Sequence, residues 1–502
     1  MSVAPRYEKC ACTALAGSVR AQSVVECRLG DWSENTVLAV RPAVVFGAAE
    51  CLSGEVRYGG KLFFTVLARA QDGALVSAER GAEFSHRAVC ADAAPAHTPD
   101  VRLFVEKVDV KRDGRAVVLS AIVTAEICLY APSQIEYLAG GEGVCCDFRP
   151  SRVTNIVLCG GTAEIEEEFD TDYVCDVLLH SEEVSLTRVF AADGCLDVSG
   201  EINLGVVAKR EGESDAVSYE RLIPFRAEIP CEGASSGMAC DARVCVEEAK
   251  LTASCDEEKG RCRILAVIGL QVRGRLYAEE EVLLPQDAFC PGYAGTPAFS
   301  SFSSEVPVCA FTSTERLSGV AASDKRPDFS CSLQASALPR AEVAATVSDG
   351  EITAEGVLDA AVFFKNGQGE ADCAHVSLPF SFPVRSDRAR KGMRADVVAI
   401  ACGVTVRQKK EGELETEGAL KLFFTLREPR EARYVCRMEA GEEKPVRDVA
   451  ISVFVPAAGD TLWAAAKKLD RPPEKVQEEN PSLSFPLTGG ERIVLYRKKE
   501  IS

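Results

Sequence analysis

Histidine and tryptophan are scarce in this chain, with four His and two Trp among 502 residues. His86, His97, His180 and His375 stand far apart, and none keeps the company of a triad or a metal-ligand motif. Cys10-Ala-Cys12 and Cys145-Cys146 lack the spacer of about two to four residues that zinc ligands use. The stretch YGGK at 58–61 lacks the rest of a phosphate-binding loop. No run approaches the roughly 18 uninterrupted apolar residues of a membrane span. The opening, MSVAPRYEKCACTALAGSVR, has no apolar core of an export signal. Bases are also short, 57 against 76 acids, and the net charge of −19 repels nucleic-acid phosphates and anionic lipid. These absences predict a cytoplasmic protein without catalysis, metal, cofactor, nucleic-acid partner or membrane span.

What is present is a globular composition, 47% hydrophobic, in a chain long enough for three to four domains. Its 22 cysteines are scattered, many in strand-like runs such as TAEICLY and IACGVTV, where Cys acts as a small buried hydrophobe. Reduced thiols are the expectation, with later oxidation in a cross-linked assembly as the alternative.

The chain repeats itself three times. GKLFFTVLAR from Gly60, GEINLGVVAK from Gly200 and GVLDAAVFFK from Gly356 each place apolar residues two, four and six positions after the glycine, and a base at the ninth. That alternation predicts a half-buried strand. Phe84, Phe225 and Phe380 follow their glycines by 24, 25 and 24 residues. Then come strand-like runs (VRLFVEKVDV, ARVCVEEAKL, ADVVAIACGV), a charged turn with Gly, and a long alternating strand through Ala121, Ile268 or Leu422. The glycines lie 140 and 156 residues apart, too far for a solenoid. The fold expected is mainly β: an N-terminal segment (1–36), sandwich-like β domains at 37–150, 177–290 and 333–447, and a linker region at 291–332. The acidic run EIEEEFD at 164–170 reads as a solvated loop.

Residues 448–499 read as a compact βααβ module. VAISVFVP puts Ile451, Val453 and Val455 on one face of a strand ended by Pro456. Asp460 and Thr461 are both competent helix caps, and Leu462, Ala465, Ala466 and Leu469 form one apolar stripe. Pro473 opens a second helix, Asn480-Pro481 stops it, and GGERIVLYR returns as a strand. Residues 451–502 carry eight bases and seven acids, leaving 49 bases against 69 acids in the remainder.

The three β units followed by this module resemble the SPOCS-domain proteins associated with spore coats of endospore-forming bacteria. The module itself, with GDTL at 459–462, Val476, Asn480-Pro481 and LTGGERIVLY, is similar to the LysM family. The resemblance implies a core of Leu462, Trp463, Ala466, Leu469, Val476, Ile493 and Leu495. It implies a groove between Gly459, Asp460 and Thr461 on one side and Pro481, Ser482, Leu483 and Ser484 on the other. Asp460 and Thr461 are ligand residues on that reading and simple caps on the physical one. Trp463 is expected to pack under the first helix. The family further implies a scaffold of coat assembly that docks a polymerising coat ATPase, with other coat proteins as further partners. N-acetylglucosamine polymer of peptidoglycan is the alternative ligand of the groove.

Overall fold

The computed structural model describes residues 3–496 apart from 174, 211–215, 257, 259, 324, 326–332, 338–339, 411 and 446–450. Positions 448–450 and 497–499, the expected limits of the terminal module, therefore lie outside the described residues. The chain is mainly β, with two short helices near its end. Among the described residues no helix is long and apolar enough to cross a membrane.

The first stretch holds β1 (Ala4–Leu29), β2 (Thr36–Leu52), β3 (Glu55–Arg69), β4 (Leu75–Val89), β5 (Thr98–Asp113) and β6 (Ala116–Glu142). They form two antiparallel sheets, β1-β6-β5 and β2-β3-β4. The second holds β7 (Cys145–Asp170), β8 (Cys175–Ala192), β9 (Cys195–Arg210), β10 (Ala216–Pro230), β11 (Ala239–Asp256) and β12 (Arg261–Phe289). Its sheets are β7-β12-β11 and β8-β9-β10. The third holds β13 (Thr296–Ala322), β14 (Leu333–Ala337), β15 (Arg340–Ser348), β16 (Glu351–Lys365), β17 (Ala371–Arg385), β18 (Arg394–Lys410) and β19 (Glu413–Glu439). There β13-β19-β18 faces a sheet in which β16 pairs with β14, β15 and β17. One pairing scheme thus recurs three times.

The repeated glycines and phenylalanines are partners. Gly60 lies opposite Phe84, Gly200 opposite Phe225 and Gly356 opposite Phe380. At Gly200 an added Cβ would sit 2.4 Å from the Ser185 carbonyl oxygen and 2.6 Å from the Phe225 ring. The ring covers the bare backbone, and only glycine permits that approach.

Three segments differ from the sequence reading. Residues 296–322, inside the expected linker region, form β13 and pair with β19 along its length. Serine-rich composition hid this strand, because much of it is held by backbone pairing rather than by burial. The acidic run 164–170 lies in β7, where Glu164, Glu166 and Glu168 face solvent while Phe169 is buried. Its period of two was a strand signal. The N-terminal segment likewise supplies β1, paired with β6 from Ala4 to Leu29.

Each stretch has its own apolar core between its two sheets, as with Leu62, Phe64, Leu119 and Val123 in the first. Yet the stretches also share cores. Leu67 and Leu75 of the first, Leu179 and Val207 of the second, and Phe363 and Cys373 of the third form one cluster. Cys10, Ile135, Val153, Leu284 and Tyr434 form another, again drawn from all three. The long strands β6, β12 and β19 outrun β5, β11 and β18, and their C-terminal halves, with residues of β1 and β7, supply that second cluster.

Candidate functional site

At the end of the chain, β20 (Ile451–Phe454) pairs antiparallel with β21 (Ile493–Tyr496), and between them lie α1 (Leu462–Leu469) and α2 (Pro473–Glu479). Ala465, Ala466, Val476, Leu487, Ile493 and Leu495 are buried together, with Phe454, Leu462, Trp463, Leu469, Leu483 and Phe485 packed around them. Thr461 caps α1, its hydroxyl accepting from the Ala464 N–H at 3.2 Å. Asp460 accepts from the Ala457 N–H at 3.0 Å and from Lys468 Nζ at 2.8 and 2.9 Å. The Lys468 ammonium and that backbone N–H hold its carboxyl below the usual range. Asp460 and Thr461, the polar side chains on the first wall of the expected groove, are therefore engaged within the module.

The loop before α1 is joined to the loop before β21 through backbone bonds, Gly459 N–H to the Leu487 carbonyl (2.7 Å) and Leu487 N–H to the Asp460 carbonyl (3.0 Å). Gly459, Thr461, Pro481, Ser482 and Ser484 are exposed, while Leu483 is half-buried against the module's core. Asn480, read only as a helix stop, does more. It is buried, donates to the Val476 and Val494 carbonyls at 3.0 and 2.9 Å, and accepts from the Val494 N–H at 2.8 Å, tying α2 to β21. The alternating apolar row of β20 and the residue that follows it points outward: Ile451, Val453 and Val455 are 59%, 58% and 65% exposed.

Trp463 makes a contact that sequence reasoning missed. Its indole N–H donates to Asp287 at 2.9 Å, and its ring meets Phe289 edge-on at 5.2 Å. Lys467, one turn along, bonds both oxygens of Asp287 at 2.8 and 2.6 Å. Asp470 accepts from the Gly292 N–H at 2.9 Å and from Lys444 at 2.6 Å. One face of α1 is thus clasped to the end of β12, and Phe289 and Cys145 complete the module's core. Burial pushes the Asp287 carboxyl up, but Lys467 and Trp463 more than reverse it and hold it below the ordinary range. Trp463 and Lys467 stand four apart, so the spacing was visible; their acceptor, 176 residues upstream, was not.

A second constellation lies where the three stretches meet. Asp100, Asp241 and Asp396 occupy the same place in the three repeats, at the head of β5, β11 and β18. Arg275 of β12 bonds Asp241 at 2.8 Å and Asp100 at 3.3 Å. Arg427 of β19 bonds Asp241 at 2.7 Å and Asp396 at 2.8 Å. The result is an alternating chain, Asp100–Arg275–Asp241–Arg427–Asp396, crossing all three stretches. Tyr277 donates to Asp241 at 2.8 Å and accepts from Arg427 at 2.9 Å. Burial pushes the Asp241 carboxyl up, yet Arg275 and Arg427 overcome this and keep it low. Desolvation opposes the charge of both guanidiniums, and their carboxylates raise their pKa nonetheless.

His180 and His86 take partners outside this network. His180 Nδ1 lies 2.5 Å from Glu182, and His86 stacks on Phe84 at 5.4 Å, where burial lowers its pKa. Among the described residues no group of three or more His, Cys, Asp or Glu could hold a metal ion. Cys255 and Cys262, opposite each other on β11 and β12, are bridged, and the other described cysteines are free. Comparison with family models, with curated proteins and with solved structures finds no match for this chain.

Proposed function

We propose that this chain is a non-enzymatic scaffold of endospore coat assembly, built of three sandwich-like SPOCS units and a C-terminal LysM-type module. The module docks a coat-forming ATPase and tethers the coat to the mother-cell side of the forespore surface, with other coat proteins as further partners. The recurrent pairing scheme and the strand–helix–helix–strand order at the C-terminus support the architecture. The observation that carries the docking reading is the division of the module's surface. One face of α1 is bound to β12, while the apolar row Ile451, Val453, Val455 stands exposed. Isolated exposed apolar residues are ordinary, but a contiguous row on a small module marks a protein contact.

Peptidoglycan is the second reading, carried by exposed Gly459, Thr461, Pro481, Ser482 and Ser484. It is less favoured, because Asp460 and Thr461 already spend their side-chain oxygens on Lys468 and on backbone N–H groups. Sugar recognition needs such polar groups. The test is capture by the full chain from sporulating-cell lysate, and separately by purified peptidoglycan, with Val453→Asp alongside. Retention of a coat ATPase by the parent chain and its loss in Val453→Asp is expected. Glycan binding without any protein capture would overturn the scaffold reading.

A further inference from the structure

The network described above borders a cavity of about 250 Å³ at the meeting of the three stretches. We propose that this cavity binds a small organic anion, a carboxylate or phosphate group carried on a short apolar body. The inference is independent of the coat reading.

Charge is the first argument. Arg243 and Arg273 lie directly opposite each other across β11 and β12, and like charges so placed repel. Their common carboxylate is Asp100, at 3.3 Å from Arg243 and 3.2 Å from Arg273, and Arg275 shares it too. Four guanidiniums (Arg243, Arg273, Arg275, Arg427) thus divide three carboxylates (Asp100, Asp241, Asp396), so one positive charge is in surplus. Arg102, which also lines the cavity, has its own partner in Glu126 at 3.7 Å. Burial, and then the neighbouring Arg243 and Arg275, hold the Arg273 pKa down against the pull of Asp100. A partly buried surplus charge is costly, and an entering anion relieves it.

The walls are the second argument. Phe46, Leu103, Leu186, Val244, Val398 and Phe423 line the cavity, two from each stretch. The Arg273 guanidinium lies 4.2 Å from the Phe46 ring centre and donates to the Val101 carbonyl at 2.6 Å, so it is fixed in place. An apolar cavity of about 150 Å³ already holds benzene, so this volume accommodates a ring plus an anionic group. Access is available at Val398, 39% exposed, and at Arg243 and Asp396, whose side chains are 40% and 46% exposed. A basic, low-dielectric recess in a chain of net charge −19 is a local reversal of field that gathers anions.

The test is calorimetric titration of the full chain with 4-methylbenzoate, phenyl phosphate, 4-methylbenzamide and inorganic phosphate. Saturable binding is expected for at least one organic anion, with the neutral amide and inorganic phosphate far weaker; the preferred headgroup tells carboxylate from phosphate. Arg243→Gln should weaken binding by about tenfold or more, the loss of one charge-assisted contact. Val398→Trp, which fills the mouth without touching the aspartate–arginine chain, should abolish it. Urea midpoints of both variants serve as fold controls. The proposal fails if neither organic anion binds saturably, if the amide or inorganic phosphate binds equally well, or if both variants bind as the parent does.

Discussion

Replacing Asp241 by Asn tests whether the three stretches are locked by charge. The substitution keeps the volume but removes the negative charge and one of the two oxygens that accept from Arg275 (2.8 Å), Arg427 (2.7 Å) and Tyr277 (2.8 Å). The two guanidiniums are only 9% and 6% exposed, so water cannot replace the lost carboxylate. Breaking a buried ion pair from one side costs about 3–5 kcal/mol, because the partner is left charged and unpaired. Urea unfolding of the full chain at pH 7 should show a loss of that size, read from midpoints rather than from a single two-state fit. Removing Arg427 as well, as Asp241→Asn/Arg427→Met, should recover part of it, since Arg275 keeps Asp100 and Asp396 is half-solvated. The acid limb gives a second readout. A carboxyl held low in the fold contributes stability that is complete above its unfolded pKa of about 4 and is lost as pH falls through the folded value. Asp241→Asn should therefore flatten the parent's loss of stability below about pH 4. A cost under about 1 kcal/mol, or no recovery in the double variant, would refute the claim that the chain of charges is buried and coupled.

Gly200→Ala should destabilise by about 1–3 kcal/mol, since the new methyl meets a carbonyl and the Phe225 ring, whereas Gly54→Ala, in open space but at φ 78°, should strain only its turn; parallel denaturation curves decide. Asn480→Ala should cost about 2 kcal/mol or more by orphaning three backbone groups between α2 and β21, with hydrogen exchange rising at Val494 first. Trp463→Ala should loosen the terminal module from β12, read as faster proteolysis near residues 440–450 with the strand cores still protected. Deleting residues 451–502 should leave the three stretches folded but expose Phe289 and raise dye binding; loss of their circular dichroism would contradict this.

Much of the fold was legible because one face of each central strand is strictly apolar. Ala121, Val123 and Ala125, or Ile268, Leu270 and Val272, sit in the cores that their alternation predicts. The opposite rows were not legible. Asp241, Arg243 and Cys245 with Gln271, Arg273 and Arg275 fall on the face opposite the apolar row, and a period of two says that the faces differ and nothing about what each meets. Here the polar face meets two other stretches. The repeated aspartate at the head of each of these strands was available as a signal, and the partners of Asp241 were not, because they lie between about 34 and 186 residues away. In the terminal module the caps, the apolar stripe and the helix stop could be read locally. The clasp of Trp463 and Lys467 on Asp287 could not, because tertiary contacts leave no periodicity.

The shared clusters bear on how the stretches depend on one another. A tandem chain of separate domains would bury apolar side chains only within each repeat, and one repeat could be lost at little expense to the others. Here Leu179 and Val207 are fully buried against residues of both neighbouring repeats, and the same holds for Val153 and Leu284 in the other cluster. With the aspartate–arginine chain between the stretches, removal of any one repeat exposes apolar surface and strips buried charges of their partners at once. The first repeat expressed alone, residues 1–143, should therefore be less stable than the same residues in the full chain, and the gap should narrow when Leu67 and Leu75 are made polar. Equal protection of its amides from exchange in both settings would show that the repeats are energetically separate after all.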